Sequence, residues 1–122
     1  MIKLTFCLRR KMGMSRDEFQ HYWLNTHGPL VRERAKAIGA VRYQQVHTAY
    51  DEANAGLQAS RGGPEAFDGV AELWWESEES LQAHLATEEG RRASAELLED
   101  ERRFIDLEQS PLWLADEHPV VV

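Results

Sequence analysis

The hydrophobic period along this chain switches between two and about 3.6 residues in a set order, and that order constrains the fold more than any single motif. Ile2, Leu4, Phe6 and Leu8 alternate with Lys3, Thr5, Cys7 and Arg9, the pattern of a strand with one buried face. Met12-Gly13-Met14 breaks the alternation. Ser15-Arg16-Asp17-Glu18 then has the form of a capping box, whose hydroxyl and carboxylate satisfy amides left unpaired at a helix start. Phe19, Tyr22, Trp23, Thr26 and Leu30 recur at steps of three and four and mark one buried stripe. Gly28-Pro29 predicts an interruption, because proline disfavours helical geometry in the residue before it and has no amide to donate. The expected result is a helix ending near His27 and a short second helix from Pro29 to about Ala37, stopped by Gly39.

From Val41 to Tyr50, Val41, Tyr43, Gln45 and His47 alternate with Arg42, Gln44, Val46 and Thr48, which reads as a second strand. Residues 51–66 turn to Ala, Gly, Asn, Ser and Glu and pass through Arg61-Gly62-Gly63-Pro64, so a long, weakly ordered loop is expected there. Gly69 to Trp75 is a third strand, and Ser77 caps a helix with the stripe Leu81, His84, Leu85. Gly90 marks a bend before a second helical piece, Arg91 to Phe104, with Ala95, Leu98, Arg102 and Ile105 on one face. The acidic run from Glu96 to Glu108 reads as a solvated helix face, and Ser110 to Ala115 as the last strand. Strand, helix, strand, strand, helix, strand is the split β-α-β pattern of ferredoxin-like folds, an α+β class with a four-stranded antiparallel sheet. Its 122 residues suit a single domain spanning 1–122. Helices on one face leave the other face of the sheet bare, and a two-fold homodimer would cover it.

Fourteen Lys and Arg against twenty-one Asp and Glu give a net charge of −7. That sign argues against nucleic acid or an anionic membrane as partner, since both reward a basic face. Cys7 is the only cysteine, which excludes an intramolecular disulfide and suits a reducing, cytoplasmic setting. The apolar stretch at the N-terminus is too short and interrupted for a signal peptide or a membrane span. His21, His27, His47, His84 and His118 show no metal-binding spacing, so no metal site is expected. No nucleophile elbow, phosphate loop or dinucleotide fingerprint occurs. Val120-Val121-Val122 is too apolar for an indifferent tail.

Arg10-Lys11-Met12-Gly13-Met14-Ser15-Arg16-Asp17-Glu18-Phe19, followed by Tyr22-Trp23 and His27-Gly28-Pro29-Leu30-Val31, resembles the signature of EthD-domain proteins. Phe67-Asp68-Gly69-Val70-Ala71-Glu72-Leu73-Trp74 resembles that family's later strand. The likeness runs from about residue 2 to 108, with Trp-x-x-x-His-Gly-Pro its most specific piece. It implies a dimeric α+β barrel, two ferredoxin-like protomers packed sheet to sheet with a cavity in each. That superfamily contains small cofactor-free decarboxylases, cyclases, isomerases and monooxygenases, together with haem-binding branches.

His27 suits a general acid or base, because imidazole titrates near neutrality and this one stands at a helix joint; it equally suits bonding the carbonyls freed by Pro29. His47 shares a strand face with Tyr43 and Gln45, a polar and aromatic lining that fits a ligand cavity; if that face points inward, His47 and Tyr43 join the catalytic candidates. Trp74 and Trp75 must face opposite sides of the sheet, one under the helices and one on the bare face. Trp74, Tyr22 and Trp23 are the substrate-binding candidates, with core or interface packing as the alternative. The expected function is a cofactor-free lyase, decarboxylase or oxygenase acting on a small hydrophobic or aromatic molecule by histidine acid–base chemistry. A haem-handling protein and a non-catalytic accessory dimer are the alternatives.

Overall fold

The computed structural model describes residues 1–122. Its strands are β1 (Ile2–Leu8), β2 (Arg42–His47), β3 (Gly69–Trp75) and β4 (Leu112–Asp116). They pair in the order β2-β3-β1-β4, every neighbour antiparallel, which is the ferredoxin-like sheet the sequence pattern predicts. In the β1–β3 register Leu4 faces Leu73 and Phe6 faces Ala71, so the even-numbered residues of β1 share one face with the odd-numbered residues of β3. That face carries the helices. On the other, Lys3 pairs with Glu72, Gln44 bonds Glu72, and the Arg42 guanidinium lies over Trp74.

Helix α1 (Arg16–Tyr22) starts with the expected capping box, Ser15 accepting from the Glu18 amide and Glu18 accepting from the Ser15 amide. The chain does not break at Gly28-Pro29. It passes through a π-helical turn, Trp23–His27, into α2 (Gly28–Ile38), with the Gly28 amide donating to the Trp23 carbonyl. The π turn shifts the bonding ladder by one residue, so the missing Pro29 amide falls at the first positions of the next helix, where no donor is required. Gly39 ends α2 in left-handed geometry, φ 79°, as expected.

Where a loop is expected, α3 (Asp51–Arg61) forms a surface helix with no buried residue. Ala53, Ala55, Leu57, Gln58 and Ala59 are strong helix formers, Asp51 and Glu52 lie in its first turn and Arg61 in its last, and Arg16 pairs with Asp51. Gly56 and Asn54 obscure that propensity in the sequence. Helices α4 (Glu78–Leu85) and α5 (Glu88–Glu101) are capped by Ser77 and Thr87. Gly90 is not a bend: it sits in the first turn of α5, where a Cβ would come within 1.9 Å of the His84 carbonyl oxygen. The buried face of α5 also differs from the expected one. Ala93, Leu97 and Asp100 are buried and continue to Phe104, whereas Ala95, Leu98 and Arg102 are exposed.

The core divides in two. Phe6, Leu8, Phe19, Trp23, Ala71, Phe104 and Ile105 form one cluster, and Val31, Ile38, Trp75, Leu81, Ala93 and Leu97 the other. Tyr43 packs against both. Gly69 allows the first cluster to close, since any Cβ there would lie 2.3 Å from the Trp23 ring. No helix is long and apolar enough to cross a membrane.

Candidate active site

Between the two clusters, under the helices, lies a cavity of about 460 Å³ lined by twenty residues, sixteen of them hydrophobic. Strands β1 and β3 supply its floor through Leu4, Phe6, Ala71, Leu73 and Trp75, and Trp23, Val31, Leu81 and Leu97 close it from the helices. Leu112 and Leu114 of the edge strand β4 line it while staying about half exposed, so the cavity opens beside that strand. His27, Gln82, Ser94 and Glu101 are its polar groups, joined by the Tyr43 phenol. A mostly apolar space with a few convergent polar groups is the usual form of a small-molecule site.

The π turn ends at His27 and thereby aims this side chain. The ring is buried, 5% exposed, and its Nδ1 is 2.7 Å from Oδ2 of Asp100. A carboxylate only accepts, so Nδ1 carries the proton and donates it, which leaves the Nε2 lone pair for the cavity that His27 lines. Tyr22 donates its hydroxyl to the other oxygen, Oδ1, at 2.6 Å, and the Arg103 guanidinium lies 3.7 Å away. Asp100 is thus fully engaged in holding one imidazole tautomer. Burial pushes the His27 pKa below the ordinary value of 6.5, against the opposing pull of Asp100, so at neutral pH the ring is a neutral base.

Tyr43 presents its phenol to the same cavity and accepts from Gln45 Nε2 at 2.7 Å. Burial raises its pKa to about 12, so it acts as a hydroxyl donor rather than a phenolate. Gln45 Nε2 also donates to the Trp23 carbonyl at 2.8 Å, tying β2 to the π turn. Tyr43, Gln45 and His47 do share the helix-side face, yet the structure places His47 beside the cavity rather than in its lining. Its ring stacks on Trp23 at 4.3 Å, and Nε2 donates to Gln45 Oε1 at 2.7 Å. His47 therefore buttresses Trp23. Tyr22 stands outside the lining, against Asp100 and Phe104. Trp74 stands on the opposite face of the sheet, its indole donating to Glu117, while its neighbour Trp75 lines the cavity.

Asp100 and Glu101 are absent from the sequence-based candidates, because the acidic run around them reads as solvated. The available signal is phase: Ala93, Leu97, Asp100 and Phe104 recur at steps of three and four, which puts a carboxylate inside an apolar stripe. No three His, Cys, Asp or Glu side chains converge in metal-binding geometry. Nor does the lining suit a haem: its charged group is Glu101, and no Lys or Arg faces inward to meet propionates.

Solved structures with the same fold span nearly the whole chain. An EthD family protein from Bacillus halodurans aligns with a TM-score of 0.64 at 23% identity, covering 97% of this chain and 99% of its own. A dimeric protein of unknown function and ferredoxin-like fold from Bacteroides fragilis aligns at 0.59 with 6% identity, covering 95% of each chain. SnoaB, a cofactor-independent oxygenase from Streptomyces nogalater, solved as a point mutant, aligns at 0.51 with 16% identity, covering 98% of this chain and 96% of its own. No curated protein sequence matches the chain. The EthD domain model matches residues 11–108, a span that holds His27, Tyr43, Asp100 and Glu101. By that match the chain belongs to the EthD domain family.

Proposed function

We propose that this chain is a cofactor-independent enzyme that removes a proton from a small, conjugated, mostly hydrophobic molecule held in the cavity. The observation that carries the reading is the buried Asp100–His27 pair with its free imidazole nitrogen in an apolar space. Nε2 takes the proton from an acidic C–H beside a carbonyl, or from a phenol. The electron pair left behind spreads into the substrate's own conjugated system, and Asp100 stabilises the imidazolium that forms. Tyr43 donates a hydrogen bond toward the oxygen on which charge accumulates. The stabilised anion then follows a lyase or oxygenase course; a cofactor-independent oxygenase on the same fold supports the latter. The same reading has the protein work in the cytoplasm as a homodimer. A second copy packs on the outer face around Trp74 and Trp113 to give a dimeric α+β barrel, in keeping with the dimeric ferredoxin-like relative.

Proton abstraction is tested without knowing the natural substrate, by following deuterium exchange into 2-tetralone, a neutral bicyclic ketone with acidic C–H bonds, by NMR. The wild-type protein accelerates exchange, and His27→Ala loses on the order of 10²–10⁴-fold of that acceleration. Equal exchange by the two proteins would refute the assignment.

A further inference from the structure

Glu101 is the last residue of α5 and lines the cavity, half-buried. No ion pair or hydrogen bond engages its carboxylate, while the neighbouring Asp100 is fully engaged by His27 and Tyr22. A carboxylate in this place is unfavourable on three independent counts. It faces an apolar space, it adjoins a like charge, and it sits where the α5 carbonyls already concentrate negative potential. Nothing in the packing repays those costs, since Glu101 ties no element to another. The rest of the lining offers no counter-charge: no Lys or Arg faces the cavity, and His27 is already committed to Asp100.

We propose that Glu101 sets substrate class in this site by rejecting carboxylate-bearing molecules and selecting uncharged ring compounds with a ketone or phenol oxygen. The inference rests on the proton-abstraction reading for its chemistry, and it narrows that reading, because a β-keto acid would bring an anion into a cavity with no cation. When ionised, Glu101 repels a second anion across a low-dielectric space. When protonated, it donates a hydrogen bond to a substrate oxygen, and its pKa, raised to about 7 by burial and by Asp100, allows both states near neutrality. Asp100 on α5, Arg102 just past its end, His27 from the π turn and Tyr43 from β2 are the titratable and charged groups nearby. A carbonyl-bearing ring thus finds the Tyr43 and Glu101 donors and the His27 base in one cavity, whereas a carboxylate finds a like charge.

Binding of an isosteric pair tests this directly. 2-Acetylnaphthalene is uncharged and 2-naphthoate is its anionic counterpart; both are titrated calorimetrically into the full chain at pH 8. The wild-type protein prefers the ketone by more than tenfold, and Glu101→Gln shifts the ratio of the two affinities about tenfold toward naphthoate. The part of the preference that comes from burying any anion in an apolar cavity persists in the variant. His27→Ala retains the ketone preference, so loss of proton abstraction and loss of selectivity are separately observed. Equal binding of the two probes by the wild-type protein, or an unchanged ratio in Glu101→Gln, overturns the proposal.

Discussion

An unpartnered carboxyl that is hard to ionise should weaken the folded state in a pH-dependent way, and Glu101→Gln measures by how much. The carboxyl moves from an ordinary 4.5 to about 7 on folding, chiefly through burial and secondarily through Asp100. A shift of that size corresponds to about 3 kcal/mol at roughly 1.4 kcal/mol per pH unit. The sign follows from proton counting. Between pH 4.5 and 7 the folded state holds the proton more tightly than the unfolded chain, so stability is full below 4.5 and falls as pH rises through 7. Glutamine mimics the protonated carboxyl at every pH. Urea unfolding followed by tryptophan fluorescence, at one fixed protein concentration and at steps from pH 4.5 to 8, should therefore give curves that nearly coincide at the acid end. They separate to about 3 kcal/mol in favour of the variant at pH 8, or roughly 10 °C in Tm. Any constant offset from burying an amide cancels in the pH dependence. A gap that does not change with pH, or one that moves in favour of the wild-type protein as pH rises from 4.5 to 8, would refute the claim that this carboxylate is buried without a partner.

Four further outcomes are expected. Asp100→Asn should slow 2-tetralone exchange by at least tenfold with little change in KM, because the imidazole stays in place while its tautomer and its imidazolium lose support; steady-state kinetics separate the two parameters. The pH profile of that exchange should rise through a His27 titration below 6.5 and decline near 7 as Glu101 ionises, and Glu101→Gln should keep the acid limb and flatten the alkaline one. Gly90→Ala should destabilise by roughly 2–3 kcal/mol in thermal unfolding despite alanine's better helix propensity, because its Cβ would meet the His84 carbonyl; a stabilised variant would disprove the close contact of α4 and α5. Native mass spectrometry should give twice 14.0 kDa, and a monomer at micromolar concentration would remove the barrel from the reading.

The strand periods, the capping box at Ser15 and the stop at Gly39 were all legible because each depends on residues within a few positions of one another. So was the importance of the Trp23 to Pro29 segment, although its π turn was not: the Trp23 carbonyl accepts from Gln45 of another element as well as from the Gly28 amide, and that second contact is not visible from the local sequence. The α3 helix was hidden by Gly56 and Asn54 amid good helix formers, a balance of small propensities that sequence reading resolves poorly. The facing of α5 was missed for a different reason. Apolar residues occur on two of its faces, and packing against α2 and the cavity, not hydrophobicity alone, selects Ala93 and Leu97 over Ala95 and Leu98.

Local order and periodicity, then, determined the ferredoxin-like strand and helix sequence, the family likeness and the candidacy of His27, since backbone preferences and amphipathic period act over one or two turns. Only the tertiary structure decided which groups share the cavity. It brought Asp100 across 73 residues to His27, set Trp75 rather than Trp74 inside, turned His47 into a support for Trp23, and left Glu101 facing apolar space without a partner. Those outcomes depend on which faces of separate elements meet, and with them go the burial and charge proximity that give an imidazole or a carboxyl its chemistry.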